Sequence, residues 1–286
     1  MLIRIYAIIA LLLIGMPAFA SQSKVVTATG KACMGEDRSK KQTEDLALID
    51  AKRQALEYTL THVKSETKVK NYQLEKDLVD AYANASIRIL EEMSGAWSRD
   101  MSAGDCFKRV IKAEVIPEEL KIQSMVQTVT VADDPNLPLG VKVWTDKVRY
   151  RNKEKIKIFI RANKHFYARV IYRNVAGEVV QLLPNPFRKN NFMSSSVIHE
   201  LPSKDDRFDI EVIPPFGTEI ITVFASTSQL GELDLQEAST VYKVKTSVED
   251  IAVKTRGVAL TGKTVNNEDN VADFAEAKVI VETVNP

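Results

Sequence analysis

Ser194-Ser195-Ser196 precede His199, and a hydroxyl with an imidazole at hand is what a serine nucleophile needs. No G-x-S-x-G elbow surrounds these serines, however, and Asn190–Ser196 reads as a polar loop. Gly257, Gly262, Lys263 and Thr264 satisfy the bare G-x-x-x-x-G-K-[ST] spacing of a phosphate loop. Such a loop works only between a strand and a helix, and Asn266-Asn267-Glu268-Asp269-Asn270 reads as a loop where the helix is required. Glu91 and Glu92 are adjacent carboxylates, but neighbours in a strand point to opposite faces and do not form an acid–base pair. His62 falls near a helix C-terminus, where a cation suits the dipole, and His165 precedes a strand. None of the three histidines is read as having a metal-ligand partner. No catalytic residue, metal or cofactor is therefore expected. The best candidate for an interaction site is Leu182–Arg188, where Pro184, Asn185, Phe187 and Arg188 form a proline-framed turn beside the polar loop. The competing reading is a rigid turn in which Asn185 hydrogen-bonds the backbone.

The elements that would hold these residues begin after Met1–Ala20. Arg4, the apolar run Ile5–Met16 and the small-x-small Ala18-Phe19-Ala20 read as a cleavable export signal. The apolar run is too short for the roughly 20 residues that span a bilayer. A periplasmic or secreted protein starting at Ser21, with no transmembrane segment after cleavage, is expected. Of 39 Lys and Arg, Arg4 leaves with the signal, so the rest balance 38 Asp and Glu. With no basic surplus, a nucleic-acid partner is not expected. Hydrophobic content of 45% is enough for a real core. Cys33 and Cys106 make an even count in an exported chain, so a disulfide is the simplest reading. It would close a separation of 73 residues, worth roughly 4 kcal/mol by chain entropy, if the two Cα atoms come within about 7 Å.

Residues 24–30 are β-prone and end at Gly30. Ala47, Ala51 and Ala55 then recur four apart in a helix expected over about Lys40–His62, small enough to let it lie close on a sheet. A shorter helix is expected over Gln73–Asn84, with 64–71 as loop or irregular extension. Ile87–Met93, breaking near Gly95 in a bulge, and Cys106–Ile116 should form an antiparallel hairpin. The run Val26-Thr27-Ala28-Thr29-Gly30-Lys31-Ala32, the Ala-rich Asp50–Ala55 and Gly104-Asp105 before a strand resemble the N-terminal domain of the flagellar assembly protein T family. The resemblance covers about 24–117 and implies a non-catalytic assembly module. That family's pattern does not call for the two cysteines.

Pro117–Leu139 reads as the junction, with a helix-capable piece at Glu118–Met125 and a turn-rich end at Asp133–Pro138. From Val141 onward the pattern is β. Ile156, Ile158 and Ile160 alternate with polar or aromatic residues, and Phe166–Arg173 turns at Asn174–Gly177 into Glu178–Leu183. Further strands are expected at Arg207–Ile213, Glu219–Ser226, Val241–Val244, Gly257–Leu260 and Lys278–Thr283, with a short helix within Thr246–Lys254. Leu182-Leu183-Pro184-Asn185-Pro186, Pro214–Glu219 with the strand to Ser226, Thr255-Arg256-Gly257 and Ala275–Val279 resemble the bacterial domain-of-unknown-function family 4384 over about 140–284. The resemblance implies a fold and no reaction.

The expectation is thus an α+β protein: signal 1–20, a β-α-α-β-β module over 21–117, a linker over 118–139 and an all-β sandwich-like domain over 140–286. Its expected role is a non-enzymatic cell-envelope module that binds or assembles other envelope proteins. A glycan- or peptidoglycan-binding module, with Trp97 or Trp144 stacking on sugar, is the alternative. A periplasmic hydrolase with acids scattered along the chain is a further one.

Overall fold

The computed structural model describes residues 21–67, 72–118, 134–238, 241–257 and 271–285. Met1–Ala20, all but Glu118 of the helix-capable piece before the junction's turn and the phosphate-loop-like residues after Gly257 lie outside these. So does most of the strand expected at Gly257–Leu260.

The N-terminal part runs β1 (Ser21–Cys33), α1 (Lys40–Thr67), α2 (Tyr72–Ala83), β2 (Ser86–Asp100) and β3 (Gly104–Ile116). α1 opens on a reciprocal cap: Ser39 Oγ accepts from Gln42 N at 3.2 Å, and Ser39 N donates to Gln42 Oε1 at 2.8 Å. Its apolar face is Ala47, Ala51 and Ala55, all fully buried against β1 and β3. Gly30 is what lets the helix sit so low. A Cβ there would lie 2.1 Å from the Ala47 carbonyl oxygen and 2.2 Å from the Ala51 amide nitrogen. The helix continues past the expected His62 to Thr67, because its last turn carries Glu66 onto a buried lysine described below.

β2 and β3 form the expected antiparallel hairpin, with one correction. The register shifts fall between Ile89 and Glu91 and between Glu92 and Ser94, and the strand runs through Gly95 to Asp100. Gly95 serves packing instead: a Cβ there would meet the Phe107 ring at 2.6 Å. Cys33 pairs with Cys106 across β1 and β3, and the two are bonded with Cα atoms 3.9 Å apart.

The C-terminal part holds β4 (Val141–Thr145), β5 (Arg149–Arg151), β6 (Ile158–Ala162), β7 (Phe166–Arg173), β8 (Val179–Leu183), β9 (Phe192–Met193) and β10 (His199–Leu201). β11 (Thr218–Ser226), β12 (Leu235–Ala238), β13 (Val241–Val244), α3 (Val248–Arg256) and β14 (Val271–Val284) follow. The β7–β8 hairpin turns as expected at Gly177, whose φ is 82°, a value that favours glycine. Two expectations change. Arg207–Ile213 contributes an isolated bridge, Lys155 with Glu211, rather than a strand. The last strand begins at Val271, not Lys278, because its first half has a partner of its own.

That partner is β1. β14 pairs antiparallel with β11 along one side, and on the other with β1 from Val271 to Glu276 and, in parallel, with β5 from Glu282. One sheet of 11 strands among the described residues results, in the order β12-β13-β8-β7-β11-β14-β1-β3-β2, with β5 and β9 attached at its side. It joins strands that come before and after the stretch 118–139, where the sequence places a linker. A small sheet, β10-β6-β4, packs Val141, Ile158, Ile160, Ala162 and Leu201 onto Val170, Ile221, Val223, Ala275 and Ala277 of the large sheet. The protein is mostly β, with α1 and α2 gathered on one face of the N-terminal strands. α3 covers part of the opposite face through Ile251, against Ile171, Phe224 and Phe274. No helix among the described residues is long and apolar enough to cross a membrane.

Candidate functional site

The turn after β8 is built around Asn185. Its buried amide donates to the Leu182 carbonyl at 2.7 Å, while its oxygen accepts from Phe187 N at 2.9 Å and Arg188 N at 2.8 Å. Asn185 therefore serves the turn and is withdrawn from the surface. Gln181 Nε2 donates to the Pro184 carbonyl at 2.8 Å. Arg188 Nη1 reaches Asp206 Oδ2 at 3.0 Å, and the same carboxylate accepts from Ser203 N at 2.7 Å. Of the four residues singled out from sequence, Phe187 is the one left as an open apolar group, 51% exposed and 6.4 Å from the Phe208 ring.

Phe187 has company. Phe192 (47% exposed) in β9, and Val197, Ile198 (about half exposed) and Ile213 in the loops, all lie between β8 and β11. Phe192 rests edge-on against Tyr167 at 5.2 Å. The serine loop is held by imidazoles, but through its backbone: Ser195 N donates to His165 Nδ1 at 3.2 Å, and His199 Nε2 lies 2.8 Å from the Ser194 carbonyl. Gly257 follows helix α3, not the strand that a phosphate loop requires. Trp97 donates to Glu44 at 3.2 Å and lies beneath the Lys40 ammonium. Trp144 pairs with Phe159 across β4 and β6, ring centroids 5.7 Å apart and planes 20° from parallel.

The densest chemistry lies elsewhere, where α1, β1, β14 and the β6–β7 turn converge. The fully buried Lys24 ammonium meets Glu66 at 2.9 Å and also contacts Asp273, its register partner across β1 and β14. Lys164 bridges the same two carboxylates, at 2.6 Å from Glu66 and 2.7 Å from Asp273. Asp273 also accepts from Leu139 N at 3.0 Å, and His62 Nε2 sits 3.4 Å from Glu66. Burial alone would lower the Lys24 ammonium, but Asp273 and Glu66 together outweigh it, so its pKa is raised. Burial would raise Asp273, and Lys24 with Lys164 reverse that, so its carboxyl stays well below its ordinary range. His62 is lowered by burial and then by Lys24. Its ring nitrogen and the two carboxylates lie within 4.8 Å of one another, but the two ammoniums occupy the space a metal ion would take.

Sequence reading passed over this cluster, although two signals were present. Lys24 falls on the inward phase of the Lys24, Val26, Ala28, Gly30 alternation, and Glu66 follows His62 by one helical turn. On the opposite face Glu114 is held by Ser23 at 2.6 Å, Arg88 at 2.9 Å and Arg256 at 2.7 Å. Beside it a groove of about 200 Å³ runs between α3 and the sheet, lined by Ile171, Ile220, Phe224, Ile251 and Lys278.

Residues 149–229 match the family described as Domain of unknown function (DUF4384). The match is narrower than the 140–284 expected, and runs from β5 to just past β11. The matched segment thus includes the Asn185 turn, the serine loop and the exposed residues from Phe187 to Ile213. Lys164 is the one member of the buried cluster inside it. No curated protein and no solved structure matches the chain.

Proposed function

We propose that this protein is an exported, non-enzymatic module of the cell envelope that docks another envelope protein through the β8–β11 loops of its DUF4384 segment. The observation that carries the reading is Phe187 and Phe192, each about half exposed: Phe187 on a turn tied down by Asn185 and the Arg188–Asp206 pair, Phe192 in β9, paired with β7. Apolar side chains held open on rigid loops are suited to burial against a partner, since little ordering cost remains. Export is supported by the signal-like Met1–Ala20 and by the Cys33–Cys106 bond, which belongs to an oxidising compartment. The resemblance of 24–117 to a flagellar assembly module supports an assembly role.

The test is a photo-crosslinking amino acid placed at Phe187, at Phe192 and, as a control, at the exposed Glu57 of α1. One shared adduct from the two loop positions, missing from the control, is the expected outcome. Adducts that do not depend on position would overturn the reading.

A glycan-binding role is favoured by one observation, the near-parallel Trp144–Phe159 pair on the outer side of the small sheet. If sugars stack there, soluble peptidoglycan fragments should change tryptophan fluorescence in the wild type, and Trp144→Ala should abolish a saturable response. A signal retained in Trp144→Ala removes this second reading.

A further inference from the structure

The buried cluster is a joint as well as a core contact. Lys24 comes from β1, His62 and Glu66 from the last two turns of α1, Asp273 from β14 and Lys164 from the turn between β6 and β7. The adjoining Asn163 binds the segment leading into β4, accepting from Gly140 N at 2.8 Å and donating to the Asp134 carbonyl at 2.7 Å. The C-terminal turn of α1 is thus fastened to the β6–β7 turn chiefly by charge, through Glu66 and Lys164.

We propose that this cluster is an acid-released clasp: protonation of His62 detaches the last turn of α1 from the β6–β7 turn while the sheet stays paired. Around a neutral His62 the cluster balances, two ammoniums against two carboxylates. The charged groups facing the imidazole are Glu66 on its own helix, Lys24 on β1, Asp273 on β14 and Lys164 on the β6–β7 turn. α2 contributes Tyr82, a buried phenol held neutral by burial and by the two acids. A proton on His62 adds a third cation beside Lys24, fully buried on β1, and Lys164, largely buried on the β6–β7 turn. His62 and Glu66 are the members carried on a helix end, where unzipping a single turn is the least costly local motion. The contacts under α1 farther back, Ala47, Ala51 and Ala55, hold no titratable group and keep the helix docked. For a chain exported as proposed above, the proton concentration felt by the clasp is that of the surroundings.

The sign follows from linkage. The folded-state pKa of His62 lies below its ordinary 6.5, so the closed form is fully stabilised above pH 6.5 and loses that stabilisation as pH falls through the folded value. One proton sets the limit: opening rises at most about tenfold per pH unit.

Hydrogen exchange of amides in the His62–Thr67 turn, corrected for intrinsic rates, reads this directly. Between pH 7.5 and pH 5 the wild type should lose protection there while β1 and β14 keep theirs. His62→Gln should hold protection constant across the range. An identical acid response in His62→Gln overturns the proposal, as does simultaneous loss in β1. Should that variant fail to fold, NMR titration of the wild-type imidazole decides: a midpoint below 6.5 is required, and one at or above 6.5 overturns the clasp.

Discussion

Gly30→Ala is expected to lower the unfolding free energy by about 3 kcal/mol or more, at the top of the range for overpacking a core. The added methyl would lie 2.1 Å from Ala47 O, 2.2 Å from Ala51 N and 2.8 Å from Ala51 Cα. These are backbone atoms in the middle of a helix, so no side chain can swing aside. α1 must rise from the sheet, and in rising it uncovers Ala47, Ala51 and Ala55 together. Urea denaturation of the wild type and variant measures the loss. A change under about 1 kcal/mol would mean that α1 does not sit as low as described.

Lys24→Ala carries the other large effect, an expected loss of about 3–5 kcal/mol, the usual cost of breaking one partner out of a buried ion pair. The alanine strands Asp273, whose side chain is 2% exposed, with Lys164 as its remaining cation. Replacing both partners, Lys24→Met with Asp273→Leu, should recover most of the loss, because no charge is then left buried without a counterpart. The pH profile separates this from simple loss of packing. The lowered Asp273 contributes stability that is full above its ordinary 3.8 and lost as pH falls through the folded value. The raised Lys24 contributes stability that is full below 10.5 and lost as pH rises through its folded value. In Lys24→Ala the alkaline limb disappears and acid unfolding moves to higher pH. A variant with the wild-type pH profile and a uniform offset would show that the ion pair contributes nothing specific.

What could be read from sequence was local. Ala47, Ala51 and Ala55 announce a helix that lies close on a strand, Asn174–Gly177 announces a hairpin, and Thr246–Lys254 announces the short helix α3. Two cysteines in a chain expected to be exported announce their own bond. The misses share one cause, which is dependence on distant partners. Helix α1 gains its last turn because Glu66 finds Lys24, 42 residues away in sequence. β14 starts at Val271 because β1 lies beside it, Lys24 and Asp273 being separated by 249 residues. Gly95 looked like a break in its strand, and it is instead the seat of the Phe107 ring. The exposed residues between β8 and β11 were seen only where prolines framed them; Phe192, Val197 and Ile198 stand out once burial is known.

The place of β14 bears on how the chain reaches its final form. This strand stands in the interior of the large sheet, between β11 and β1, although it is the last of the described elements to be synthesised. A nascent chain can therefore close the β1–β3 pairing and the β7–β8 hairpin early, but must leave β1 and β11 each with an open flank. Loop closure over such separations is costly, and topologies rich in distant contacts fold slowly. Until β14 arrives, two unsatisfied strand edges are on offer to any other chain nearby. A lesion near residue 271 would for the same reason divide the sheet at its centre, where trimming β12 would cost only an edge.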